Sequence, residues 1–253
     1  MTAVLRRQGA FYGALLLAWW GLARWRIWPP YVFPGPGDVG SYLLAGLRDG
    51  SLLWGVGTSL KRLLLGYGAS VAGGVALGTL LAQSRWLGAT LGGLVLGLQT
   101  LPSVCWLPLS LLWFGLNESA ILFVVIMGAI LAITISTQTG IQQVPQLYVR
   151  AGRTLGARGV ALYLRVIFPA AFPVMLTGFK QGWSFAWRSL MAGELIYVTR
   201  GLGFLLQAGR ELNDVAQLFG VMLVIIGIGA FVDYLVFRRL ERWVRRRWGF
   251  SEA

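Results

Sequence analysis

The feature that most constrains this chain is a series of apolar runs, each close to the length a helix needs to cross a bilayer. Six segments run at about 9–28, 54–82, 90–115, 119–141, 170–195 and 215–238. A hydrocarbon core of roughly 30 Å takes a helix of about 20 residues. No water is present there to satisfy backbone groups, so such a run folds as a helix that pairs its own N–H and C=O. Of the 253 residues 57% are hydrophobic and only 12% are charged, about half the charged share of an average globular chain. The expected fold class is an all-α polytopic membrane protein with about six transmembrane helices.

The charges follow the membrane too. A net charge of +13 would suit a nucleic-acid partner if it lay along one face. Here the arginines cluster between apolar runs, and no nucleic acid is expected. With the N-terminus inside, the inner loops and tails hold Arg6, Arg7, Arg85, Arg150, Arg153, Arg158, Arg165 and six arginines from Arg238 to Arg247. The outer segments hold Arg24, Arg26, Arg48, Lys61, Arg62, Arg200 and Arg210, nearly balanced by Asp38, Asp49, Glu118, Glu211 and Asp214. This is the positive-inside pattern, and it puts both termini in the cytoplasm. The run FYGALLLAWWGLARW after Arg6 and Arg7 lacks a small-x-small cleavage site, so it reads as a retained first span.

Groups that do chemistry are scarce. Cys105 is alone and histidine is absent, which removes disulfides, cysteine metal clusters and the usual general base. Lys61 and Lys180 are the only lysines, and neither ends a GxxxxGK[ST] phosphate loop. HExxH and GxSxG are also missing. No catalytic residue, metal site or resident cofactor is expected; a carrier or a channel subunit remains.

Two outer stretches are more than plain loops. WPPYVFPGPGDVGSYL is too rich in Pro and Gly to be helical until about Asp38, a candidate cap. VTRGLGFLLQAGRELND mixes apolar and polar residues and suggests a short re-entrant or interfacial helix. Glycines inside the apolar runs, as in GASVAGGVALG, suit close helix packing. No polar linker divides the chain, so it reads as one domain.

The inner connection at about 142–168 carries the most specific signal. Its glycines at 152, 156 and 159 suggest two short helices meeting at a bend. Leu147, Ala151, Leu155, Leu162 and Val166 are expected on one face, beside several arginines. Pro169 and Pro173 each remove an amide donor, so the chain is expected to turn there into the fifth segment.

This stretch resembles the signature of bacterial ABC importer permeases, which has the form EAA, three residues, Gly, nine residues, Ile-x-Leu-Pro. The pattern falls without a gap on Arg150-Ala151-Gly152, Gly156 and Val166-Ile167-Phe168-Pro169. Ala151, Gly156 and Pro169 match it; Arg150 and Gly152 depart from it. SLKRLLLGY, GLQTLPSVCWLPLSLLWFGLNESA and GWSFAWRSLMAGEL resemble the nitrate, sulfonate, taurine and bicarbonate branch of that family. The resemblance implies the type I importer permease fold. It divides the chain into residues 1–53 (first span and periplasmic segment), 54–248 (transport domain) and 249–253 (cytoplasmic tail). It also implies two copies of the chain forming a path and two copies of a separate ATPase carrying ATP and Mg. A periplasmic or lipid-anchored binding protein would deliver the substrate at the bacterial inner membrane. Residues Arg150, Ala151, Gly152, Arg153, Thr154, Leu155, Gly156 and Ala157, with Pro169, would then couple to the ATPase.

Polar groups held within apolar segments are candidates for the path, because hydrocarbon makes them costly. They are Gln99, Thr100, Ser103 and Cys105 around Pro102 and Pro108; Thr134 and Thr137; and Lys180, Trp183, Trp187, Arg188 and Glu194. Lys180, Trp183 and Trp187 share a helical face with Arg188 beside it, a cationic wall suited to an anion. The modal substrate is a sulfonate such as taurine, with nitrate, bicarbonate or an aromatic acid also in range. An ion pair of Arg188 with Glu194, and one of Asp233 with a nearby arginine, are the structural alternatives. An ATPase-independent channel or secondary carrier, and an importer of a neutral vitamin-precursor-like solute, are the other functional readings.

Overall fold

The computed structural model describes residues 2–25, 27–197 and 200–248. Arg26, residues 198–199 of the second outer stretch and the 249–253 tail lie outside the described residues. Every regular element among the described residues is helical: α1 (Thr2–Arg24), α2 (Pro36–Arg48), α3 (Ser51–Gln83), α4 (Arg85–Gln99), α5 (Leu107–Phe114), α6 (Glu118–Gln142), α7 (Gln146–Thr154), α8 (Gly159–Leu162), α9 (Phe168–Ile196), α10 (Leu202–Glu211), α11 (Val215–Val232) and α12 (Arg238–Arg247).

Four stretches are long and apolar enough to cross a membrane: Ser51–Gln83, Glu118–Gln142, Gly159–Ile196 and Val215–Arg247. The α4–α5 pair makes a fifth candidate, bent by 101°. The bend falls at Pro102, with Pro108 in the first turn of α5. A short 3₁₀ turn, Ser103–Trp106, joins the two halves. The first segment is the 23-residue α1, less apolar than the others because Arg6 and Arg7 lie inside it.

Two compact units are present, Met1–Ser59 with Val198–Ile228 and Leu60–Tyr197 with Gly229–Ala253. In the first, the Trp19 indole donates to the Pro34 carbonyl (3.0 Å) and stacks on Phe219. The α2 helix starts at Pro36, two residues before the expected cap. Asp38 still caps it, from the third helical position, by accepting from the Gly35 amide at 3.0 Å. A short helix, expected in VTRGLGFLLQAGRELND, is present as α10, and the Ser59 hydroxyl accepts from the Leu202 amide (2.8 Å) at its start.

The second unit is built around α6, which packs extensively along α9. Ala120, Ile121, Val124, Val125, Ala129, Ile133 and Thr134 are buried almost completely. A helix apolar all round is a core helix rather than a surface one. Glycines at four-residue spacing bring its neighbours close. A methyl added at Gly74 of α3 would lie 2.7 Å from Ile133 Cγ2, and one at Gly78 would lie 2.5 Å from the Thr134 carbonyl. On α9, Gly182 faces Ile133 in the same way, and Gly178 faces Ser136. Between helices in lipid, attraction comes from such contact rather than from expelling water.

The turn into the fifth span is not at the prolines. It lies at Gly156 and Gly159, whose φ values are +88° and +53°, in the left-handed region that favours glycine. From Gly159 the helix is continuous to Ile196. A π turn, Tyr163–Ile167, lets the Phe168 amide reach the Tyr163 carbonyl immediately before Pro169, whose missing donor would otherwise interrupt the ladder. Pro173 leaves the Pro169 carbonyl without its helical donor, and the Trp248 indole N–H supplies one at 3.1 Å.

Gly78→Ala is expected to destabilise the protein by roughly 1–3 kcal/mol through overpacking against α6. Gly93→Ala on α4, where an added methyl meets nothing within 4 Å, is expected to be neutral or slightly stabilising. Thermal unfolding of both variants in one detergent measures the contrast.

Candidate functional site

The break between α4 and α5 creates the site. Its residues face α6 and α9 across a cavity of about 350 Å³, lined by Gln99, Thr100, Ser103, Trp106, Gly128 and Arg188 among others. Four of the sequence candidates, from segments far apart in the chain, thus meet at one place. Gly128 and Leu131 come from α6; Phe185 and Arg188 are three apart on α9 and share its face. The Arg188 Nε donates to the Ser184 carbonyl (3.1 Å), and its guanidinium sits 5.0 Å from the Phe185 ring centre. No carboxylate lies within ion-pair distance of Arg188 among the described residues. A cation in a membrane-length helix with no counter-charge is costly unless it faces water or an anion.

The other flank of α9 carries a second cavity, about 260 Å³, lined by Lys180, Trp183, Trp187, Arg188, Asp233 and Phe237 among others. The expected shared face of Lys180, Trp183 and Trp187 is therefore present. Lys180 is neutralised, however, with Asp233 and Glu241 each 3.1 Å from its Nζ. Asp233 pairs with this lysine and not with an arginine, because the stretch that carries Asp233 and Glu241 runs past α9 at the level of Lys180. Trp183 packs edge-on against Tyr67 and its buried indole N–H has no protein partner.

Glu194 lies away from both cavities. Fully buried, it binds the Arg62 Nη1 at 3.0 Å, while Arg62 Nη2 reaches Glu118 at 2.9 Å. The alternative pairing of Glu194 with Arg188 is thus replaced by one with Arg62. Arg62 was grouped with the outer charges; its signal in the sequence was its place several residues inside an apolar run, where a charge has to find a partner. Thr134 and Thr137 are buried where α6 meets Gly78. Thr134 Oγ1 donates to its own helix at the Ile130 carbonyl (2.8 Å). Cys105 is exposed and does not line the cavity. Phe185, Met127 and Trp106 do line it and were not singled out in the sequence; Phe185 was legible as the residue one turn before Arg188.

The connection at about 142–168 forms α7 over Gln146–Thr154, so Leu155 is its cap and Gly156 its left-handed turn. A nine-residue helix is marginal alone, and this one is held on one side. At Gly152 a methyl would lie 2.9 Å from Val166 Cγ2 and 3.0 Å from Leu162 Cδ1. That contact explains glycine where the family signature has alanine. The expected single apolar face is in fact two. Leu162 is buried behind α7 with Ile141, Val144 and Ile167, and Val166 packs against them. Leu147 and Leu155 are 71% and 88% exposed, with Ala151 exposed between them at helical spacing. Arg150, Arg153 and Arg158 are exposed beside this stripe, and Ala157 is half-buried. Pro169 is exposed at the start of α9.

Removing one partner of the buried pair, as in Arg62→Gln or Glu194→Gln, is expected to cost about 3–5 kcal/mol, because it strands the other charge. Lys180→Gln, at a site one-third exposed, is expected to cost less than about 1 kcal/mol. Thermal unfolding of the three purified variants tests the ranking.

A family model described as binding-protein-dependent transport system inner membrane component matches residues 74–249. The taurine transport system permease protein TauC of Escherichia coli (strain K12) is 32% identical over 234 residues, covering 90% of this chain and 84% of that one. The nitrate import permease protein NrtB of Leptolyngbya laminosa is 31% identical over 194 residues, 75% of this chain and 70% of that protein. The methionine ABC transporter MetNI, solved in inward-facing conformations, superposes with a TM-score of 0.64 over 77% of this chain and 96% of its own, at 17% identity. That likeness is one of fold, the type I ABC importer permease fold. With its match over most of its length, this chain belongs to the family of binding-protein-dependent transport system inner membrane components, the membrane permeases of ABC transporters.

Proposed function

We propose that this chain is the permease subunit of an ATP-driven importer for a small anion, with a sulfonate such as taurine the leading substrate. The observation that carries the anion is Arg188. Its guanidinium has no carboxylate partner among the described residues and shares a cavity with the polar groups of Gln99, Thr100 and Ser103. Such a set attracts a compact anion and offers it both donors and a hydroxyl. The relatives named for taurine and nitrate support the same class.

Two copies of the chain would enclose the path, and a binding protein would load it from outside. ATP and Mg would reside on a separate ATPase, since no phosphate loop is present in this sequence. The exposed stripe Leu147–Ala151–Leu155 on α7 suits docking into an apolar cleft of that ATPase, with Arg150 and Arg153 at its rim. Gly156 then acts as the turn that sets α7 apart from α9. Both termini would lie in the cytoplasm, with Thr134, Thr137 and Glu194 holding the helices as a body that moves together.

In proteoliposomes with the ATPase and binding protein, Arg188→Gln is expected to lower ATP-dependent taurine uptake by roughly 10–100-fold, the value of one charge-assisted hydrogen bond. ATPase binding should be unchanged. Full uptake by Arg188→Gln, or taurine flux through the permease without the ATPase, sinks the proposal. Leu147→Glu with Leu155→Glu, both at exposed positions, should leave the fold intact and prevent co-purification of the ATPase. Retention of the ATPase by that double variant assigns coupling elsewhere.

A further inference from the structure

The C-terminal helix shapes a groove that neither the transport path nor the docking helix uses. It has a volume of about 500 Å³. One wall is Leu164, Phe168 and Phe172, spaced four apart; the other is Trp243, Arg247 and Trp248. The indole bond from Trp248 to the Pro169 carbonyl closes its floor, and Phe172 packs on both tryptophans. Leu164, Phe168 and Phe172 belong to the membrane-length stretch Gly159–Ile196, and Trp243 and Arg247 to Val215–Arg247; an apolar groove between two such helices suits a lipid.

Charge at one end narrows that occupant. Arg247 is exposed, with its guanidinium 5.6 Å from the Trp243 ring centre. Arg165 lies next to Leu164, and Arg246 next to Arg247. None of the three has a carboxylate within ion-pair distance among the described residues. Tryptophan beside arginine at the end of an apolar stretch is the pattern of a headgroup-level interface. Basic side chains there attract anionic headgroups.

We propose that this groove is a binding site for one anionic phospholipid, with an acyl chain against Leu164, Phe168 and Phe172 and the phosphate at Arg247. The site ties lipid composition to the α9–α12 contact. The inference rests on the membrane reading of the chain and is independent of its substrate.

The test uses the full-length permease in a neutral maltoside detergent, titrated with phosphatidylglycerol or phosphatidylcholine of equal chain length and read by native mass spectrometry. A micelle has no leaflets, so the result speaks to the groove and not to which side of the membrane it faces. Phosphatidylglycerol is expected to bind about fivefold more tightly than phosphatidylcholine. Arg247→Gln should abolish that preference, whereas Arg245→Gln, on the opposite flank of α12, should keep it. Phe168→Ala should weaken both lipids alike. Equal binding of the two lipids overturns the site, and so do equal losses in both arginine variants, which indicate diffuse charge only. Glycerol phosphate competing as well as the lipid also overturns it in favour of a free-phosphate site.

Discussion

In hydrocarbon a polar group must be satisfied by the protein itself, and much of this structure consists of ways of meeting that demand. The close α3–α6–α9 contact is possible because glycines remove the side chains that would hold the helices apart. That contact in turn brings Arg62 of α3 within reach of Glu194 of α9, with Glu118 at the start of α6 completing the set. An arginine of this kind at a looser interface would draw in water or distort the helix. The ion pair therefore depends on the glycine packing, and it fixes the relative rotation of the three helices at one end.

The same demand explains the prolines. Pro102 marks the break between α4 and α5, with Pro108 in the first turn of α5, and the broken region becomes one wall of the cavity containing Arg188. Pro169 and Pro173 do not break theirs. A π turn takes up the first missing donor, and a tryptophan from the last described residue of the chain replaces the second. Identical residues thus give a kinked, polar-lined segment in one place and an unbroken span in another. The outcome turns on whether a neighbour supplies a substitute hydrogen bond.

Much of the architecture was legible in the sequence. Apolar run length identified the helices of membrane length, and the glycines at 152, 156 and 159 the bend in the connection before α9. Convergence of Gln99, Thr100, Ser103 and Arg188 on one cavity was not legible, since it depends on a 101° bend that no local pattern encodes. The pairing of Lys180 with Asp233 and Glu241 was hidden for the same reason: partners 53 and 61 residues away leave no periodic trace. Prolines mislead when read singly, because their local rule is certain while their tertiary compensation is not. The expected shared face splits because Leu162 and Val166, beyond the Gly156–Gly159 turn, pack behind α7 at Gly152, while Leu147, Ala151 and Leu155 stay exposed.

A second π turn, Asp233–Phe237, precedes α12. An extra residue per turn rotates everything after it by about 100° relative to an unbroken α-helix. Trp248 reaches Pro169, and Glu241 reaches Lys180, only in that rotated phase. The distance from Asp233 to Trp248 is thus counted in residues, not merely in ångströms. Substitutions on the exposed face of α12 leave the count intact, whereas deleting a single residue of α12 beyond the π turn would carry the residues after it about 100° round the helix axis and away from α9. In this part of the chain, insertions and deletions are the changes the fold resists most, a constraint on length that composition alone does not reveal.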